Sequence, residues 1–286
     1  MPSIEYLNDG ATSFSGTWKL IDGTAGTGFQ NDAELIIPGG GNSISAGLDQ
    51  SASTTTGIRY LVLAESFSGN VGDGTSPLIT EATDGSAAEW RSDNTEGRIE
   101  HNGTGTLYVK GDTNGISNLM QNGNGRTVLT DGTASYVRVL RGLFSCAGAA
   151  TITNLSVLGG TTTIVAKSPT NSAGTNLYVF GGSVTVSRPF TNIYVYGGNL
   201  TINTYNAGGA STVYQYGGTV SLVAHGNNAI TAYYHEAGTL DATRLRVAST
   251  ITTYVRSFGS IFTGRPNGAQ LTITNNYRKD PNIGPV

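Results

Sequence analysis

From residue 153 onward the chain runs in short bursts of alternating apolar and polar residues, each broken by a small, glycine-containing pair. The bursts read TNLSVLGGTTTIV (153–165), TNLYVFGGSVTV (175–186), TNIYVYGGNLTI (191–202), STVYQYGGTVSL (211–222) and TAYYHEAGTLDA (231–242). A looser copy, TTYVRSFGSIFT, follows at 252–263. Alternation with a period of two is the signature of a strand with one buried face. Each copy therefore predicts a strand, a sharp corner and a second strand. The corner glycines Gly160, Gly182, Gly198, Gly218, Gly238 and Gly259 are separated by 22, 16, 20, 20 and 21 residues. A repeat of that length, with strands in step and connections of unequal length, predicts stacked rungs of a solenoid.

Aligning the copies sorts the strand positions into columns. Leu155, Leu177, Ile193, Val213 and Tyr233 share one position, and Val157, Val179, Val195, Gln215 and His235 another. These columns are expected to face inward, because a thin rung buries its apolar edge only against its neighbours. The pairs Val184 with Val186, Leu200 with Ile202, and Val220 with Leu222 do the same after the corner. By alternation, Tyr178, Tyr194, Tyr214, Tyr234 and Tyr254 point outward, as do Leu158, Phe180, Tyr196, Tyr216, Glu236 and Arg256. One outer face is thus expected to carry an aromatic ladder. Two explanations stand side by side. Like residues on adjacent strands stabilise each other by ~0.2–1 kcal/mol per pair; alternatively, a contiguous exposed apolar patch marks an interface.

Upstream the pattern loosens. GTLYVKGD (105–112) and ASYVRVLRG (134–142) resemble rungs with altered corners. Strands are predicted at AELIIP (33–38), GNSISAG (41–47), IRYLVLAES (58–66) and SPLITEA (76–82). The fold class is therefore all-β: a right-handed parallel β-helix preceded by an irregular N-terminal β region. The hand follows the usual rule for parallel crossovers. Residues 1–100 form the N-terminal region, either irregular first rungs or a separate small β domain. Residues 101–274 form the solenoid, and 275–286 a polar C-terminal tail. No helix is predicted.

Composition narrows the function classes. Charged residues are 12% of 286, about half of the usual share. The net charge of −3 argues against wrapping a nucleic acid by phosphate neutralisation. No run approaches the ~20 apolar residues of a membrane span. MPSIEYLNDG lacks the basic and apolar stretches of a secretory signal, so synthesis in the cytoplasm is expected. A single cysteine, Cys146, excludes an internal disulfide and any multi-cysteine metal site, and reads as a small core residue.

Catalytic chemistry finds little to work with. A glycan-cleaving β-helix needs paired carboxylates on one face. Between 143 and 240 the charged residues are Lys167, Arg188 and Glu236, so no acid pair exists there. Glu236 beside His235 is the best local acid/base pair, with a plain structural role as its competitor. Glu81, Asp84, Glu89, Asp93 and Glu96, near Arg91, Arg98 and His101, make a mixed-sign segment that reads first as solvated surface. His101, His225 and His235 have no metal-ligand spacing. NGNGR (122–126) lacks the Lys-Ser/Thr of a phosphate-binding loop. No catalytic residue, metal or cofactor is expected.

The N-terminal stretch adds a resemblance. TW at 17–18, DAELIIPGGGNSISAGLDQSA at 32–52 and LVLAESFSGNVGDGTSPL at 61–78, followed by Gly-rich rungs, resemble tailed-bacteriophage virion surface proteins. Those proteins join a short N-terminal β region to a repeated β-helix. The motifs cover about the first 85 residues, and the remainder is similar in style only. The resemblance implies a structural virion protein made in the host cytoplasm and displayed on the particle: capsid decoration, cement or head fibre. It implies the major capsid protein or other virion proteins as partners. The alternatives are a tail fibre that recognises a host glycan through the aromatic face, and, last, a polysaccharide depolymerase. An exposed aromatic ladder asks for symmetric cover, so a homotrimer is expected, with Tyr178, Phe180, Tyr194, Tyr196, Tyr214, Tyr216 and Tyr234 at its interface.

Overall fold

A computed structural model describes residues 5–8, 18–20, 33–37, 58–72, 78–80, 98–111, 115–147, 149–165, 173–203, 211–223, 228–245, 248–264 and 271–279. All regular structure among them is β. The predicted strand at 41–47 and the segment 81–96 lie outside the described residues. The chain divides into two compact units, Met1–Thr153 and Asn154–Val286.

The first unit contains β1 (Glu5–Asn8), β2 (Trp18–Leu20), β3 (Ala33–Ile37), β4 (Ile58–Leu63), β5 (Asn70–Val71) and β6 (Leu78–Thr80). It continues with β7 (Arg98–His101), β8 (Thr106–Gly111), β9 (Ile116–Gln121), β10 (Arg126–Asp131), β11 (Thr133–Val139) and β12 (Leu143–Cys146). One sheet runs β2-β1-β3-β4-β7-β9-β11, and the other places β5 and β6 beside β8, then β10 and β12. β1 and β2 pair antiparallel, whereas β3, β4 and β7 are already parallel neighbours before residue 100. The run 122–125, between β9 and β10, is a solenoid corner: the Gly125 amide donates to the Gly103 carbonyl of the preceding turn at 2.9 Å.

The second unit opens within β13 (Thr151–Val157). Next come β14 (Thr161–Ile164), β15 (Gly174–Val179), β16 (Ser183–Val186), β17 (Phe190–Val195), β18 (Asn199–Ile202) and β19 (Ser211–Gln215). It ends with β20 (Thr219–Leu222), β21 (Asn228–His235), β22 (Gly238–Asp241), β23 (Ser249–Arg256), β24 (Ser260–Thr263) and β25 (Leu271–Arg278). Odd-numbered strands make one sheet and even-numbered strands the other, each in chain order. Strand pairs through the repeats are parallel and in step, for instance Leu177↔Ile193↔Val213 and Val184↔Leu200↔Val220, with one register shift between Ser211 and Thr212 where β19 meets β21. The unit is a β-solenoid whose turns recur at about 20 residues.

Burial follows the alternation. β16 and β18 both show exposed, buried, intermediate, buried in order, and the inward columns predicted from the repeat are buried. Each fully buried aliphatic side chain contributes about 1.5–3 kcal/mol. The 16-residue step from Gly182 to Gly198 fits a connection of only Ser187, Arg188 and Pro189 between β16 and β17. Beyond 274 the chain stays in β25, where Thr253, Tyr254, Val255 and Arg256 face Asn275, Asn276, Tyr277 and Arg278. The first residues of the expected polar tail are therefore strand.

The last copy departs from the sequence alignment. Tyr233 pairs with Tyr254, Tyr234 with Val255 and His235 with Arg256. The second sheet pairs Gly238 with Ser260, one residue further along. A slip of one residue exchanges the two faces of a strand. Tyr254 is consequently buried in the core instead of extending the outer ladder, and Arg256 leaves the outer column. Gly259 is not a corner glycine of the stacked kind: a Cβ there would meet nothing within 4 Å. The reason is local, since the Tyr254 hydroxyl, turned inward, meets His235 Nδ1 at 2.8 Å.

Candidate interaction face

The aromatic ladder is built by register. In-step pairing sets Tyr178 beside Tyr194, Tyr194 beside Tyr214, and Tyr214 beside Tyr234. Ring centroids along this column are 4.9, 5.1 and 5.0 Å apart, with planes within 9° of parallel. Two residues on, Phe180, Tyr196 and Tyr216 form a second column at 4.9 and 5.1 Å. This second column, next to the corner, is the more exposed: Leu158 is 38% accessible, Phe180 49%, Tyr196 46% and Tyr216 43%. On the other flank, Asn192 donates to Asn176 at 3.0 Å and Asn176 to Asn154 at 2.9 Å, an amide ladder that holds the same register.

Ring geometry decides what the face can do. Tyr194, Tyr214 and Tyr196 are each sandwiched by a ring on the rung below and a ring on the rung above, so their π faces are occupied. What meets solvent is a row of ring edges and hydroxyls. Stacking a sugar on an aromatic ring needs a free face, which these three rings lack. Each stacked pair supplies ~0.5–1.5 kcal/mol beyond its buried area. Burial, then the neighbouring phenols, raises the Tyr214 pKa, and burial heads the causes for Tyr216 as well. Both remain neutral hydroxyls at ordinary pH.

The columns are uncharged until Glu236. That carboxylate accepts from Ser257 Oγ at 2.5 Å and is paired with Lys279. Lys279 first, and Ser257 second, hold its pKa below the usual carboxylate range. His235, its chain neighbour, points the opposite way and is buried. Its Nε2 lies 3.0 Å from the Gly238 carbonyl and its Nδ1 faces Tyr254. Adjacent strand residues face opposite sides of the sheet, so the two cannot share a substrate. The acid/base pairing weighed from the sequence is not assembled.

The corner glycines do what their spacing predicts. Gly160, Gly182, Gly198, Gly218 and Gly238 have φ of 70, 72, 71, 67 and 86°. A less legible device lies just before the corners, where polar residues occupy inward positions. Gln121 Nε2 donates to the Gly123 carbonyl at 2.7 Å, and Gln215 Nε2 to the carbonyls of Gly218 and Thr239 at 3.2 and 2.9 Å. They add a side-chain donor to carbonyls at and beside the corner; the Gly218 carbonyl also accepts the Thr239 amide at 2.9 Å. The Tyr233 hydroxyl completes the Gln215 amide at 2.6 Å. The sequence signal is a Gln or His in an otherwise aliphatic column, directly before the bend.

Two of these inward residues titrate. Burial lowers the His101 pKa from 6.5 to about 4, and burial also lowers that of His235. His101 Nδ1 lies 3.0 Å from Thr127 Oγ1, which itself donates to Gln121 Oε1 at 2.5 Å. The unfolded chain takes up a proton on His101 near pH 6.5, whereas the folded chain resists until about pH 4. Stability present above pH 6.5 is therefore lost as pH falls through that window, by on the order of 3 kcal/mol for this residue. Urea titrations at pH 7 and 4.5 should show the loss, and His101→Gln with His235→Gln should flatten the slope. An unchanged slope in the double variant would remove the histidines as its cause.

No family profile matches the chain, and neither a curated protein nor a solved structure matches it. Among the described residues there is no cluster of three or more His, Cys, Asp or Glu able to hold a metal. Cys146 is buried, its Sγ 3.5 Å from the Ala150 carbonyl.

Proposed function

We propose that this chain is a structural protein of a tailed-phage particle, of the capsid-decoration, cement or head-fibre kind. The N-terminal region docks on the major capsid protein or another virion protein, and the solenoid is displayed as a weakly charged, rigid element. Copies assemble as a homotrimer through the aromatic face. The observation that carries the reading is the double aromatic column, four stacked rings beside three, with ring edges turned to solvent. Such a strip suits protein packing better than the seating of a sugar. The N-terminal motifs at 32–52 and 61–78 support the particle as the setting.

The expected result is co-purification with virions in many copies. Densitometry of a stained gel of purified particles reads this directly. Hundreds of copies per particle support the shell, and a handful support the tail-fibre reading, in which a host glycan is the partner. Absence from particles ends both. Release of reducing ends from capsular or lipopolysaccharide sugars would instead establish a depolymerase.

A further inference from the structure

The exposed column has a direction. It starts at Leu158, continues through Phe180, Tyr196 and Tyr216, and ends on Glu236, which is tied to Ser257 and Lys279. The first four positions are uncharged; the last is an ion pair. The ridges recur every 4.9 to 5.1 Å. A partner that meshes with every ridge needs the same pitch, and a second copy of this chain has it by construction. Orientation follows from charge. In an antiparallel pairing the Leu158 end of one copy lies on the Glu236–Lys279 pair of the other. That strips water from two charges without supplying a new partner, which is costly. In a parallel pairing Leu158 meets Leu158, rings meet rings, and the ion pairs stay together at a wet rim.

We propose that the column Leu158, Phe180, Tyr196 and Tyr216 seats the same column of another copy of this chain, parallel and in register. The symmetry axis then runs along the solenoid, and each position meets its own counterpart. The inference rests on the reading of this face as a contact between copies, and adds its direction and register.

Single substitutions Leu158→Cys, Tyr196→Cys and Tyr216→Cys in the 286-residue chain test it, with Cys146 left in place because it is buried. Mild oxidation should join each variant to itself, seen as a covalent pair on a non-reducing gel. Thr161→Cys, outside the column, should stay single. A mixture of differently tagged Leu158→Cys and Tyr216→Cys chains should give no mixed product, since those positions are three rungs apart. A mixed product with the assembly's mass unchanged overturns the parallel register and leaves the oligomer standing. Light scattering that finds the wild-type chain monomeric at micromolar concentration overturns both. As a check independent of cross-linking, Tyr196→Lys with Tyr216→Lys should lower the scattering mass to that of one chain, with an unchanged circular dichroism spectrum. An assembly that survives both lysines shows that the column is not the interface.

Discussion

Gly198→Ala is expected to destabilise the second unit by about 3–5 kcal/mol, read as a fall in the urea midpoint with an unchanged slope. Two effects add. At φ 71° an L side chain sits in the left-handed region, which costs roughly 1–3 kcal/mol. The new Cβ would also lie 2.7 Å from the Gly181 carbonyl carbon and 2.7 Å from the Gly182 oxygen, both in the preceding turn. Those are backbone atoms, so relief requires two turns to separate. The Asn199 amide donates to the same Gly182 oxygen at 2.9 Å, and the separation would stretch that bond too. Gly259→Ala is the matched control: nothing lies within 4 Å of its Cβ, and it should change the midpoint little. Gly259 has neither the left-handed φ nor the close approach, so an equal loss there would show that neither effect accounts for the cost at Gly198.

Leu177→Ala should cost about 2–5 kcal/mol, because a fully buried side chain leaves a void that flanking turns cannot close without breaking register. Its column neighbour Ile193 is set by strand pairing on the next turn. Tyr178→Ala, one residue along and facing out, forfeits one stacked neighbour at 4.9 Å and should cost nearer 1 kcal/mol. Thermal or urea unfolding of the two variants separates inward from outward columns. A larger loss for Tyr178→Ala would mean that the ladder, rather than the aliphatic interior, carries the stability of these turns.

Much of the face was legible because the repeat is nearly periodic. Once the glycine corners are aligned, alternation alone assigns Tyr194 outward and Ile193 inward, and parallel in-register pairing stacks each tyrosine on the next. The reading failed where one residue is added. Aligning Tyr254 with Tyr234 was reasonable by pattern, since both follow an apolar or small residue in a T-rich burst. The strand instead pairs Tyr254 with Tyr233, and a phenol that looked like the next rung of the ladder closes a buried hydrogen bond to His235. Pattern cannot detect such a slip, because both registers preserve the alternation and differ only in which face meets the core.

The amino-acid sequence by itself determined the all-β solenoid, the inward aliphatic columns, the corner glycines and the membership of the aromatic columns through Tyr234. All of these follow from short-range rules: a period of two, and the need for positive φ at a sharp bend. Only the tertiary structure decided that the ring faces are spent on one another and the edges left free, that Glu236 turns away from His235 to meet Lys279, and that Gln121 and Gln215 hold the corner carbonyls. The ring stacking joins successive turns, the Glu236–Lys279 pair joins residues 43 positions apart, and the glutamines fold back on corners two and three residues on. Distances of that kind are set by stacking in three dimensions, not by the local order of residue types.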